Sequence, residues 1–266
     1  MNRHLGHTPQ TDYLSVMRLF SWGRSPKPDD LSTLAPDAPF VAIGDLHGCD
    51  HLFARLLTKL ESAAAEADTL VCVGDYVDRG EDSAPLLDRL RGLQADLGED
   101  RFVCLRGNHE EMMLGFLDDP VGLGPRWVRN GGLQTLSSFR CPAPTESSPE
   151  SWETTRDRFA AALGSEAETW LRGLPTMWRT GNVAVVHAGA DPLAPIEAQP
   201  EDVLLWGHPD FESRRRKDGV WVVHGHTITT DPRAAGGRIP TDTGAYATGR
   251  LTGAVVKPGS VEYVHT

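Results

Sequence analysis

Five short stretches of the sequence concentrate side chains that bind divalent cations. They are Gly44-Asp45-Leu46-His47-Gly48, Gly74-Asp75-Tyr76-Val77-Asp78-Arg79-Gly80, Arg106-Gly107-Asn108-His109-Glu110, His187-Ala188-Gly189 and His224-Gly225-His226-Thr227. Asp45 and His47 stand two positions apart, close enough to address one cation, and the flanking glycines allow the backbone to turn sharply. Carboxylate, imidazole and amide oxygen without thiolate suit borderline or hard divalent metals such as Mn, Fe or Zn. A single Asp after a strand is ordinarily a helix cap, and a single His a satisfied polar residue. Five such coincidences, each at the end of an apolar run, point instead to one metal centre.

The elements that must position these stretches are legible as apolar runs. Phe40 to Gly44, Thr69 to Val73 and Arg101 to Leu105 read as buried strands. Between and after them, Asp50 to Ala67, Ser83 to Leu97 and Glu110 to Leu117 carry apolar residues at helical spacing. The order βαβαβα predicts an α/β fold with a mainly parallel sheet, in which ligands bind at the carboxyl ends of strands. Residues 118–180, with Trp127, Trp152, Trp170 and Trp178, read as a helical insertion beside the sheet. Strands return at Val183 to Val186, Val220 to Val223, Leu251 to Val256 and Val261 to Val264. Residues 1–37 read as a tail and linker, with a short amphipathic turn at Tyr13 to Trp22 and prolines at 26, 28 and 36, ahead of a domain spanning 38–266.

Composition excludes several classes. A net charge of −11 opposes a general nucleic-acid partner, because phosphate backbones demand clustered Lys and Arg. Part of that excess is the kind of carboxylate a bound cation neutralises. No apolar run reaches bilayer length, and Met1 to Gln10 lacks the apolar core of a secretion signal. Cys49, Cys72, Cys104 and Cys141 form no disulfide framework, so a cytoplasmic protein without a membrane partner is expected.

In the order in which they stand, the first three stretches resemble the three-block signature of PPP-type phosphoprotein phosphatases. The two later His stretches and Asp242-Thr243-Gly244-Ala245 resemble the closing blocks of the bacterial and phage branch. The resemblance runs from about residue 40 to 256 and implies a calcineurin-like αββα sandwich, two mixed sheets with helices outside. It implies two divalent cations, Mn2+ foremost with Fe or Zn as alternatives. Asp45, His47 and Asp75 would hold one, Asp75 would bridge, and Asn108, His187 and His226 would complete the other. His224 would support the ligands from behind or be structural, and His208 near Trp206 has no assigned role.

The resemblance further implies in-line attack on phosphorus by a hydroxide bridging the cations, about 3.5–4 Å apart. Arg79, Arg106 and Asn108 would bind substrate phosphate, His109 would protonate the leaving alkoxide, and Asp78 would orient its ring. The run Arg214-Arg215-Arg216-Lys217 reads as a solvated loop, although the resemblance leaves room for one of Arg214, Arg215 and Arg216 as a further phosphate ligand. Glu110 reads as a first-turn helix acid. Cys49 and Arg55 match a Cys-x5-Arg spacing, but the intervening residues lack the glycines of a phosphate cradle, so Cys49 reads as packing. The expected substrate is a phosphoserine or phosphothreonine protein, or a small phosphoester. Symmetrical hydrolysis of diadenosine tetraphosphate is the alternative, and a non-catalytic binding protein of the same fold ranks last.

Overall fold

The computed structural model describes residues 31–266. The tail expected over residues 1–37, with its turn at Tyr13 to Trp22, thus lies outside the described residues up to position 30. The remainder of that segment is no linker. A 3-10 turn at Leu31–Thr33 leads to Leu34, which is buried among apolar side chains of both sheets. The Asn182 side chain ties it down, accepting from Ala35 N and donating to the Thr33 carbonyl.

Three strand–helix units follow: β1 (Phe40–Ile43), α1 (Asp50–Glu66), β2 (Thr69–Cys72), α2 (Ser83–Leu97), β3 (Phe102–Cys104) and α3 (Asn108–Asp118). The chain continues through α4 (Gly124–Trp127), a π-helical turn (Val128–Gly132), α5 (Leu133–Ser138), α6 (Pro149–Leu163) and α7 (Ser165–Gly173). Then come β4 (Met177–Thr180), β5 (Val183–Val186), α8 (Glu201–Trp206), β6 (Trp221–His224), β7 (Arg238–Pro240), α9 (Ala245–Thr248), β8 (Thr252–Lys257) and β9 (Ser260–His265).

Two mixed sheets result, with orders β3-β2-β1-β8-β9 and β4-β5-β6-β7. In the first, β1, β2 and β3 are parallel while β8 and β9 run antiparallel. In the second, only β4 is antiparallel to its neighbour. Period-two alternation sorts the side chains between layers. Phe40, Ala42, Val71, Val73, Val183, Val185 and Val223 meet between the sheets, while Val41, Ile43 and Cys72 face the helices. Ala184, Val186 and Val222 face the other way, toward Ile196, Leu204 and Phe211 around α8. Both faces of each central strand are therefore buried, which is why these strands read as unbroken apolar runs. The calcineurin-like sandwich is the fold found, with a thin outer layer over the second sheet.

Two strands depart from the sequence reading. The stretch expected to be helical through residue 180 ends in strand β4. A two-residue connection, Gly181-Asn182, with Gly181 at φ 52°, folds β4 onto β5. This is the Gly-first hairpin chemistry that the tryptophans nearby obscured. The second is β7, a three-residue edge strand ending in Pro240, too short to carry periodicity. Helix α3 also starts earlier than expected, so Asn108 and His109 open its first turn.

Candidate metal centre

Each ligand candidate leaves the carboxyl end of a strand. Asp45 and His47 follow β1, Asp75 follows β2, Asn108 follows β3, His187 follows β5 and His226 follows β6. The loops lock together through backbone bonds. Leu46 N and His47 N both donate to the Asp75 carbonyl, at 3.1 and 2.7 Å, and Gly225 N donates to the His187 carbonyl. Non-glycine residues at positive φ are uncommon. Among the described residues six occur, and five are His47, Asp75, Asp78, Arg79 and His226. Such conformations cost about 1–3 kcal/mol each and persist only where the surroundings enforce them.

The enforcing group is Glu110. Its buried carboxylate accepts from Asp75 N (2.8 Å), Gly107 N (2.9 Å), Tyr76 N (2.7 Å) and Val77 N (3.2 Å). The sequence reading gave Glu110 only a helix-terminus role, and the structure corrects it. Close approach at Gly107 completes the arrangement, since a Cβ there would lie 2.3 Å from Asp75 Oδ1. Glu110→Gln should destabilise the metal-free protein by about 2–4 kcal/mol, because one oxygen becomes a donor facing donors in a buried site. Denaturant unfolding checks this, and an unchanged midpoint would refute the role.

Two groups of ligand atoms converge on Asp75. His47, Asp75 and His109 form one, and Asp75, His187 and His226 the other, with ligand atoms within 4.8 Å of one another in each. His187 Nδ1 donates to the Val73 carbonyl, which leaves Nε2 unprotonated. That nitrogen lies 2.8 Å from Asn108 Oδ1 and 3.3 Å from Asp75 Oδ1. Burial holds the His187 pKa well below its ordinary value, so no second proton sits there. His187 Nε2, Asn108 Oδ1 and Asp75 Oδ1 thus converge as potential ligand atoms, an arrangement that a cation satisfies. His226 Nδ1 joins them, 2.9 Å from Asn108 Oδ1. His47 repeats the pattern. Its Nδ1 donates to the Val77 carbonyl, and its Nε2 stands 3.4 Å from Asp75 Oδ2. Fixing the tautomer through the far nitrogen is how ligating histidines are oriented.

Asp45 is buried and accepts from His226 N at 3.0 Å, with Asp242 within hydrogen-bonding reach. Burial, followed by the charges of Asp242 and Asp75, pushes its pKa well above the carboxylate range. Asp75 is raised by burial and then by Glu110. Clustered buried carboxylates that repel one another are a cation's complement. Asp242, given no role in the sequence reading, belongs to this set.

His109 Nδ1 lies 2.7 Å from Asp78 Oδ2. The Trp127 indole N–H reaches both Asp78 oxygens, at 2.9 and 3.0 Å, and the Thr135 hydroxyl donates to Oδ1 at 2.7 Å. Burial moves Asp78 up to about 8 and His109 down to about 3. The Asp78 carboxyl thus accepts from Trp127 and Thr135 and holds the His109 ring through Nδ1, leaving Nε2 turned toward Asp75. Trp127 and Thr135 escaped the sequence reading because they lie about fifty residues from Asp78. The π-helical turn between them presses Gly131, at φ 112°, onto Arg79, where a Cβ would meet Arg79 N at 2.7 Å. π-turns recur at functional sites for this kind of close approach.

The remaining candidates divide. Arg79 joins the cluster, with Nη1 3.2 Å from His47 Nε2. Arg106 is turned toward Glu201 (3.3 Å) and Glu111 (3.6 Å). Arg216 is no phosphate ligand: it is buried, paired with Asp218, and donates to the Asp191 and Ala194 carbonyls. Arg214 is exposed beside Asp210. His208 Nδ1 accepts from Asp210 N, and His224 packs edge-on against Phe211. Cys49 is buried at the start of α1, its thiol pushed up to about 11 by burial, so it is no nucleophile.

The calcineurin-like phosphoesterase family matches residues 38–237, which carry all of these ligands. The chain belongs to that family. This phosphoesterase is 26% identical over 234 residues to an asymmetrical bis(5'-nucleosyl)-tetraphosphatase of Anoxybacillus flavithermus, covering 79% of this chain and 87% of the relative. A symmetrical bis(5'-nucleosyl)-tetraphosphatase of Nitrosococcus oceani is 29% identical over 157 residues, 57% of this chain and 44% of the relative. A crystal structure described as a putative diadenosine tetraphosphatase shares the fold, with a TM-score of 0.57 at 23% identity, covering 86% of this chain and 93% of that one. Within the family the metallophosphoesterase chemistry is common ground, and the donor set fits a dinuclear centre. Among the described residues no helix of this phosphoesterase is long and apolar enough to cross a membrane.

Proposed function

We propose that the chain is a bis(5'-nucleosyl)-tetraphosphatase that cleaves a P–O–P link asymmetrically. The carrying observation is the span of the likeness to an asymmetrical tetraphosphatase, 79% of this chain and 87% of the relative. That likeness favours the small phosphoester over the phosphoprotein that the resemblance to PPP-type phosphatases implied. Four buried, free cysteines support a reducing, cytoplasmic setting.

In this reading Asp45, His47 and Asp75 would hold one cation, and Asp75, Asn108, His187 and His226 would hold the other, with Mn2+ the first candidate. When bound, such a pair acidifies water near neutral pH and neutralises charge on phosphoryl oxygens. The protein supplies the rest. Arg79 stands beside His47 and clamps a non-bridging oxygen. Arg106 reaches substrate by exchanging Glu201 or Glu111 for a phosphate oxygen. His109 presents Nε2 toward Asp75, 3.8 Å from Oδ2; once protonated there, as an imidazolium that the Asp78 carboxylate stabilises, it delivers that proton to the leaving oxygen and returns to the neutral ring. Asp78, gripped by Trp127 and Thr135, fixes the ring. Glu110 holds the Asp75 turn in its strained conformation before any substrate arrives.

The test is product analysis. Mn2+-loaded protein incubated with diadenosine tetraphosphate should yield AMP and ATP. Two equivalents of ADP would assign the symmetrical reaction instead. Turnover of a phosphopeptide with the dinucleotide left intact would overturn the proposal and restore the phosphoprotein reading.

A further inference from the structure

Tyr246 stands at the mouth of the ligand cluster and has no part in the chemistry described above. Its ring lies 5.2 Å from the His47 ring, edge to face at 84°, and the Arg79 guanidinium carbon sits 4.9 Å from its centroid. Despite both neighbours it remains 38% exposed. Ile228, two residues beyond His226, is 46% exposed and packs against the turn that leads into Tyr246, its Cδ1 lying 3.2 Å from where a Cβ on Gly244 would be. Few large hydrophobic side chains are exposed among the described residues, and Ile228 and Tyr246 are two of them.

The shelf is rigidly tied to the metal ligands. Gly244, at φ 68°, donates its N–H to Asp242 Oδ1, and Asp242 faces Asp45. The Thr243 hydroxyl donates to the Arg250 carbonyl, and the Thr248 hydroxyl to the Thr243 carbonyl. Ala247 N and Thr248 N both donate to the Gly244 carbonyl. An exposed, preorganised aromatic ring beside a phosphate clamp is the chemistry that recognises a flat heteroaromatic group joined to phosphate. A phosphoserine side chain offers it nothing to stack on.

We infer that Tyr246, on the turn against which Ile228 packs, is the platform on which the purine nearest the cleaved phosphate stacks. This rests on the dinucleoside reading above and adds the residue that selects for a base. Tyr246 is a specificity residue that touches substrate, while Arg79 beneath it grips phosphate.

The experiment compares Tyr246→Ala and Tyr246→Trp with the parent protein, all Mn2+-loaded. The substrates are diadenosine tetraphosphate and base-free inorganic tetrapolyphosphate, and the inhibitors are ADP and inorganic phosphate. Tyr246→Ala should raise KM for the dinucleotide and Ki for ADP by roughly 5–100-fold, the span of one base–aromatic stack. Tetrapolyphosphate turnover and the phosphate Ki should stay unchanged, and Tyr246→Trp should restore ADP binding. Equal losses on both substrates would overturn the inference, because Tyr246 would then act only through Arg79. An unaltered ADP Ki would overturn it as well. If the parent protein leaves the dinucleotide intact while ADP inhibition still depends on Tyr246, the platform stands and the proposed activity falls.

Discussion

Asp75→Asn should abolish phosphoester hydrolysis and strip the protein of bound divalent cation in the same step. Asp75 is the one residue common to both groups of converging ligand atoms, with Oδ1 3.3 Å from His187 Nε2 and Oδ2 3.4 Å from His47 Nε2. Removing its charge weakens two cation positions at once. The loss should therefore exceed the roughly 10–100-fold that follows when a ligand merely loses its supporting hydrogen bond. Metal analysis after dialysis, run beside an aryl phosphate assay, reads both effects. Unfolding is a separate matter. The carboxylate is buried, and Glu110 and Asp78 repel it, while its Oδ1 accepts from His109 N. An amide keeps that acceptor and removes the repulsion, so the metal-free variant should melt no lower than metal-free parent protein. Retained turnover in the variant would sink the bridging assignment.

His109→Asn probes the proton rather than the cations. If His109 delivers a proton to the leaving oxygen, its loss costs on the order of 10²–10⁴ for an alkyl phosphate, whose leaving group needs that proton most. For p-nitrophenyl phosphate or a nucleotide leaving group, both weaker bases, the penalty should be much smaller. Metal content should stay at the parent level. The control is informative because His109 Nε2 also belongs to the group around His47 and Asp75. A fall in bound metal with no dependence on the leaving group would make His109 a ligand and remove it as the acid. A uniform loss with metal retained would also count against proton delivery.

Much of the fold was legible because the central strands are buried on both faces. Phe40–Ile43, Thr69–Cys72 and Val183–Val186 read as apolar runs since no solvent-facing side breaks them. The strands that were missed lie at a sheet edge. Met177–Thr180 mixes polar and aromatic residues on a half-exposed edge, and Arg238–Pro240 is three residues long. Residues 31–37 looked like linker because prolines mark extended chain equally well whether or not it is packed. Only the tertiary pocket for Leu34 distinguishes the cases.

By itself the sequence determined which chemistry is available. Glycine-flanked Asp, His and Asn at strand ends specify a cation site, because strand ends in such sheets converge whatever joins them. What tertiary structure decided is how those groups are held and which of their neighbours face them. Glu110 became the anchor of four backbone N–H groups, and Trp127 and Thr135 became the grip on Asp78. Arg216 became the buried partner of Asp218, and Tyr246 the exposed ring beside Arg79. None of these follows from spacing. Each joins an atom to a partner that another element supplies, and only the packed arrangement of those elements sets the distance between them.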